Sequence, residues 1–375
     1  MLTRGRRWRT GDGILPCVAN STNERDHEQA QLPTVTVVFL VYSRCEELRI
    51  SLHKMLVESD YDAGRVDVVV VDNASSDDSS GMVAAEYPQV RLLRRETNSG
   101  VSGFNDGFAV AQGDYVLALD DDCYLPPDGL RRAVSAARER KADLVSFGIV
   151  SAQDPEYRFD EKYPTGLLSF WGCAALIRRP ALAALGGYDP EIFVWANELE
   201  FMMRFFDRAF RHLHLPEVHA VHMKSGVGTP RDYIRSPTFV MNCTNFAYVA
   251  GKLMRLPDAT AALVAVLATI ARDTLRIDRT AIRGLVGALT GFRRGLHHRR
   301  TVRAEVSHAY RHHFHSFAPP WRLARAPREL LRALPGEMAR AARGIPRPAG
   351  QRGRFPEYLG EHARFYPTSA QTLEL

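Results

Sequence analysis

The chain has 375 residues, 45% of them hydrophobic and 25% charged, with a net charge of +6. That is an ordinary globular composition with enough apolar material for a large core. Five scattered cysteines (Cys17, Cys45, Cys123, Cys173 and Cys243), odd in number and without a CxxC pair, argue against a disulfide framework or a zinc site and fit a reducing cytoplasm. The arginines of the first ten residues are followed by Gly-Asp-Gly rather than an apolar stretch, so no secretory signal is expected. The longest apolar run, Ala259 to Ala271, is shorter than the about 20 residues that cross a bilayer.

Residues 1–32 are polar and aperiodic, the pattern of a disordered leader. Two β-branched runs, Val35 to Tyr42 and Val66 to Val71, then flank a helical stretch from Glu46 to Glu58, which makes a βαβ unit. The second strand ends at Asp72, before a Ser/Asp-rich turn able to cap a helix from Met82 to Tyr87. A strand from Val90 to Arg94, a Gly/Asn-rich loop, a helix near Asn105 to Gln112 and a strand from Tyr115 to Leu119 follow. Next come a helix from Leu130 to Arg140, a strand from Leu144 to Val150, a strand from Gly172 to Ile177, a helix from Ala181 to Leu185 and a helix from Asn197. This alternation predicts an α/β fold with a mainly parallel sheet flanked by helices, and ligands beyond the carboxyl ends of the strands, where Asp72 and Asp120 stand. Past Arg235 the pattern turns helical and basic, dividing the chain into 1–32, 33–235 and 236–375.

Asp120-Asp121-Asp122 follows a buried-looking strand; in an extended chain Asp120 and Asp122 project to one side, where they can hold a divalent cation, or a ribose and a cation. Asp72 can accept from the N–H of a nucleobase or cap the following helix. Glycines at 100 and 103 allow a ligand close to the backbone, and Asn98 and Asn105 bring amides to the same loop. Asn197-Glu-Leu-Glu200 begins an amphipathic helix: Asn197 and Glu200 have the spacing of a capping box, and Glu198 is left to face a cleft as a general base. His212, His214, His219 and His222 lack a zinc-protease spacing and read individually as packing residues.

Taken in order, Val-Val-Asp72-Asn-Ala-Ser-Ser-Asp77, Asn98-x-Gly100-x-x-Gly103-x-Asn105-x-Gly107, Gly113-Asp-Tyr-Val-x-x-Leu-Asp120-Asp-Asp122, Gly186-Gly-Tyr-Asp-Pro-x-x-Phe193, Asn197-Glu-Leu-Glu-Phe-x-x-Arg204 and His222 resemble family 2 of the inverting glycosyltransferases, over about half of the sequence. The rhamnosyltransferase-like and galactofuranosyltransferase-like branch is the most similar. The resemblance implies a GT-A type, Rossmann-like fold and a nucleotide-sugar donor. Asp72, Asn98, Gly100, Asn105, Asp120 and Asp121 would bind that donor, and Asp122 and His222 a divalent cation, Mg2+ or Mn2+. Glu198 stands where the family has an Asp as base, one methylene longer, with Glu200 the alternative. Trp171 and Trp195 offer stacking surface to an acceptor.

The implied acceptor is a hydroxyl of a saccharide, a lipid-linked sugar or a small molecule, in surface polysaccharide or glycolipid assembly or in natural-product glycosylation. The basic C-terminal region can meet an anionic membrane surface, which would make the chain cytoplasmic and peripheral at the inner face, or pack as a helical subdomain. No nucleic-acid module is recognisable. A nucleotidyltransferase would need a Gly-rich basic phosphate loop after the first strand, where Tyr42-Ser-Arg-Cys-Glu stands instead; a non-catalytic sugar-nucleotide-binding module remains the competing reading.

Overall fold

The structure is a computed structural model, and it describes residues 32–156, 158, 168–223, 237–273, 279–313 and 371–373. The expected leader before Leu32, the Lys224-Ser-Gly segment and most of the basic tail after His313, Trp321 included, lie outside the described residues.

Strands β1 (Val35–Val41), β2 (Val66–Asp72) and β3 (Arg91–Arg94) pair in parallel, and β1 pairs in parallel with β4 (Tyr115–Asp120). The Val- and Leu-rich runs of β1, β2 and β4 are buried on both faces, which is why they read as continuous apolar stretches rather than alternating ones. Helix α1 (Cys45–His53), with a π-helical turn over Lys54–Glu58, links β1 to β2, and α2 (Ser79–Glu86) links β2 to β3. Helix α3 (Phe104–Val110) precedes β4.

The second half departs from the mainly parallel expectation. After β5 (Cys123–Tyr124), α4 (Gly129–Glu139) and β6 (Leu144–Ser151), strand β7 (Ala174–Arg178) inserts antiparallel between β4 and β6. Strand β8 (His212–His222) runs parallel to β6 and antiparallel to β5, with the short β9 (Gln371–Leu373) antiparallel beside it. The order β3-β2-β1-β4-β7-β6-β8-β5 therefore makes a mixed sheet. Nothing in the local pattern of β7 encodes its direction.

Helices α5 (Arg179–Leu185) and α6 (Asn197–Asp207) lie between β7 and β8. Past residue 236 come α7 (Pro237–Leu253) and α8 (Leu256–Asp273), separated at Met254-Arg255, and then α9 (Arg279–His297) and α10 (Ala304–His313). Phe239, Phe246, Tyr248 and Tyr310 from these helices join one apolar cluster with Val38, Val71 and Ala118 of the sheet. The described residues from Pro33 on group as one compact unit.

Candidate active site

Strand β4 delivers Asp120 at its end, but the chain then turns, so Asp120 and Asp122 do not share one face of an extended strand. Instead Asp121 and Asp122, both buried, converge on Arg44, whose Nη1 lies 2.8 Å from Asp121 Oδ1 and 2.7 Å from Asp122 Oδ2. The Tyr42 amide also donates to Asp121, at 3.2 Å, and the Ser51 hydroxyl donates to the Asp121 carbonyl at 2.9 Å. The loop after β1 thus grips the acidic turn after β4. Burial, opposed by Arg44 and reinforced by the Asp122 carboxylate, pushes Asp121 up to about 6. Sequence reasoning missed Arg44: a single cation in a loop has no periodic signature, and its position directly after β1 is the only cue.

The pairing of Cys123 with His222, between β5 and β8, carries the histidine to the acidic turn, and the Met223 amide donates to the Asp122 carbonyl at 2.9 Å. His222 Nε2 is 3.6 Å from Asp122 Oδ1. Oxygen and imidazole nitrogen in this proximity suit Mg2+ or Mn2+. Among the described residues no group of three or more such side chains that could hold a metal exists.

Glu198 enters from α6. Although the residue as a whole is only half-buried, its carboxyl group is enclosed, and burial pushes it up to about 7 against the opposing hydrogen bonds of its own amide, the Asn197 side chain and the Gly172 amide. A Cβ on Gly172 would fall 2.0 Å from a Glu198 carboxylate oxygen, so any larger residue there would push the carboxylate out of this position. The next residue, Cys173, accepts from the Asp120 amide at 3.0 Å. Glu198 and the end of β4 therefore rest on adjacent residues of one turn.

The entry to α6 is strained: Trp195 and Ala196 have φ of 68° and 64°. Such left-handed non-glycine residues cost about 1–3 kcal/mol each and need outside support. Asn245 of α7 provides it, its buried amide donating to the carbonyls of Val194 at 2.9 Å and Trp195 at 3.2 Å. The helix begins after left-handed Ala196 with no side-chain cap, so the expected Asn197–Glu200 capping box does not form. Glu200 is fully buried and bound instead by Arg204 (Nε 2.9 Å, Nη2 2.6 Å) and Lys252 (2.8 Å). Lys252 also meets Asp189 at 2.7 Å, and Tyr248 donates to Asp189 at 2.8 Å. Of the two glutamates, Glu200 is committed to an ionic network.

Several other expected site residues are engaged within their own loops. Asp72 accepts from the Ser75 amide at 2.8 Å and from the Ser80 hydroxyl, while α2 starts after Asp78 with no side-chain cap. Asn105 exchanges two hydrogen bonds with the Tyr188 backbone, each 2.8 Å, which puts its amide in a loop junction. Asn98 accepts from the Gly100 amide and from buried Asn73, whose amide also donates to the Gly100 carbonyl. Gly100 has φ of +62°, and a Cβ there would lie 1.8 Å from the Phe193 carbonyl oxygen. That contact brings the 98–103 loop against the segment leading to Glu198. Trp171 is half-buried and Trp195 is 43% exposed, next to 47%-exposed Phe193.

His212 and His214 are buried packing residues, their rings 2.8 and 2.9 Å from the Ser146 hydroxyl. Burial, reinforced by His212, pulls His214 down to about 3. His219 contacts Arg158.

Residues 36–186 match the family Glycosyl transferase family 2. The succinoglycan biosynthesis protein ExoO of Rhizobium meliloti (strain 1021) is 34% identical over 116 residues, 30% of this chain and 32% of that protein. An undecaprenyl-phosphate 4-deoxy-4-formamido-L-arabinose transferase of Photorhabdus laumondii is 29% identical over 133 residues, 34% of this chain and 41% of that protein. The chain thus spans well under two thirds of these relatives. A mannosyltransferase from Pyrobaculum calidifontis, solved with GDP-Man and Mn2+, superposes with a TM-score of 0.50 at 21% identity, covering 81% of this chain and 76% of that one, and shares the fold. The matched segment, residues 36–186, is a glycosyltransferase family 2 domain.

Proposed function

We propose that this chain is an inverting glycosyltransferase that moves a sugar from a nucleoside-diphosphate sugar to a hydroxyl of a saccharide or lipid-linked acceptor in surface polysaccharide or glycolipid assembly. The observation that carries this reading is the enclosed Glu198 carboxyl, pushed up to about 7, on the turn that also binds the end of β4. A base with that affinity for protons is ionised in part at neutral pH and still basic enough to take a hydroxyl proton.

In this reading Glu198 accepts the acceptor's hydroxyl proton while the oxygen attacks the anomeric carbon from the face opposite the diphosphate. The bond from that carbon to the diphosphate oxygen breaks, its electron pair leaving with the diphosphate, so the configuration inverts. Asp122 and His222 would hold a divalent cation, Mg2+ or Mn2+, and such a cation would supply positive charge against the charge growing on the leaving group. Arg44 keeps the Asp121-Asp122 turn in place, and Asp120, Asn98 and the 100–103 backbone line the donor side; Asp72 orders the turn beside the nucleobase. Trp195 and Phe193 offer exposed aromatic surface to the acceptor. The two curated relatives, one named for succinoglycan biosynthesis and one as an undecaprenyl-phosphate 4-deoxy-4-formamido-L-arabinose transferase, support a polymeric or lipid-linked acceptor.

A panel of nucleotide sugars, scanned for thermal protection with and without Mn2+, tests this. One donor should raise Tm only with the cation present, and the shift should fall when His222 is replaced by Ala. No protection by any donor, together with no donor turnover, would contradict the assignment.

A further inference from the structure

Helix α9 buries one side and leaves the other bare. A Cβ on Gly291 would meet the Thr244 carbonyl oxygen at 2.1 Å, and one on Gly295 the Tyr248 carbonyl oxygen at 2.2 Å, so α7 and α9 touch backbone to backbone, with Ala288 fully buried on the same side. That contact fixes the rotation of α9, because turning it would drive larger side chains into the α7 backbone. On the outer side Ile282, Val286 and Leu289 are 53%, 54% and 52% exposed, and at spacings of i, i+4 and i+7 they form one stripe. Arg293, at i+11, falls on the same line.

The stripe lies in a strongly basic stretch. From Arg279 to Ala304 there are seven arginines and two histidines, and no Asp or Glu. Arg294 is drawn to Glu191, Arg299 donates to the carbonyls of Gly251 and Met254, and Arg303 pairs with Asp207. Arg283, Arg293 and Arg300 are exposed and enter no ion pair among the described residues. No described helix is long and apolar enough to cross a membrane.

We propose that this face of α9 docks on an anionic lipid bilayer, with Ile282, Val286 and Leu289 at the boundary of headgroups and acyl chains and Arg283 and Arg293 among the lipid phosphates. Charge complementarity selects this occupant. A second copy would bring the same arginines against one another, and residues 314–370 of the chain itself carry ten arginines against four glutamates. Exposed aliphatic groups ringed by arginine are the features that hold a helix in a bilayer interface. This deepens the reading of a lipid-linked acceptor and rests on it for its purpose. The helix also bears on the site: Arg294 reaches the Glu191 carbonyl at 3.3 Å, and its partner α7 carries Asn245.

Co-sedimentation of the full chain with phosphatidylcholine vesicles, with and without phosphatidylglycerol, tests the proposal. Binding is expected only to the anionic vesicles, weakened roughly tenfold or more by Arg283→Gln with Arg293→Gln. A similar loss is expected from Ile282→Ser, Val286→Ser and Leu289→Ser together, with thermal unfolding unchanged because these side chains are exposed. Equal binding to both vesicle types, no binding, equal binding by wild type and variants, or a dimer of the wild type that the serine variant abolishes would each overturn it. Donor turnover measured on the same preparations separates the two readings. Turnover without vesicle binding defeats only the docking surface, and vesicle binding without turnover of any nucleotide sugar defeats only the transferase assignment.

Discussion

Glu198→Gln is expected to lower kcat by roughly 10²–10⁴-fold, the usual contribution of a positioned general base, while leaving donor affinity nearly unchanged. The amide keeps the shape that fits above Gly172 and cannot take a proton. Wild-type kcat/KM should rise with pH and level off above about 7, where the carboxyl is ionised, and the variant should lose that limb. The stability consequence has the opposite sign. A carboxyl whose ordinary value of 4.5 is raised to about 7 holds its proton more tightly when folded, so its contribution to stability is full below 4.5 and is lost as pH climbs through about 7. The Gln variant, which never ionises, should therefore gain on the wild type in denaturant midpoint between those values and hold that gain at pH 8. An activity loss without the change in pH profile would indicate a mere disturbance of packing.

Glu200→Gln, two residues along, should do the reverse. Glu200 is fully buried and neutralises Arg204 and Lys252, which in turn bind the carbonyls of Leu185 and Gly187 and the carboxylate of Asp189. Removing one partner of such a buried network leaves positive charge without its counterion and typically costs about 3–5 kcal/mol. That is a large fraction of the about 5–15 kcal/mol that keeps a domain folded. Urea unfolding at neutral pH measures it directly. A variant as stable as wild type would mean that water or a neighbouring group replaces the carboxylate. The fraction of molecules that remain folded should keep the pH profile of the wild type, which separates the roles of the two glutamates.

Much of the architecture was legible in the residues because β1, β2 and β4 are short runs rich in valine and leucine, two of them ending in aspartate. Strands β1, β2 and β4 fall within about a residue of expectation, since their burial on both faces leaves little ambiguity. The direction of β7 was not legible, because a strand's apolar content is the same whichever way it runs. The motif that places Asp120 to Asp122 after a strand was readable; the turn that makes Asp121 and Asp122 converge on Arg44 was not, since it depends on a loop nearly 80 residues away. Gly172 and Asn245 were equally silent. One is an ordinary glycine whose need appears only when Glu198 lies above it, and the other an asparagine in a helix 50 residues beyond the strained backbone it supports. Local chemistry is written locally, whereas convergence is a property of the folded chain.

The most direct measurement of the central claim, a single displacement with Glu198 as base, is the anomeric configuration of the product relative to the donor, read from its proton coupling in NMR. Direct attack by a deprotonated hydroxyl inverts that centre, and the account predicts inversion. A product that retains the donor's configuration would contradict it.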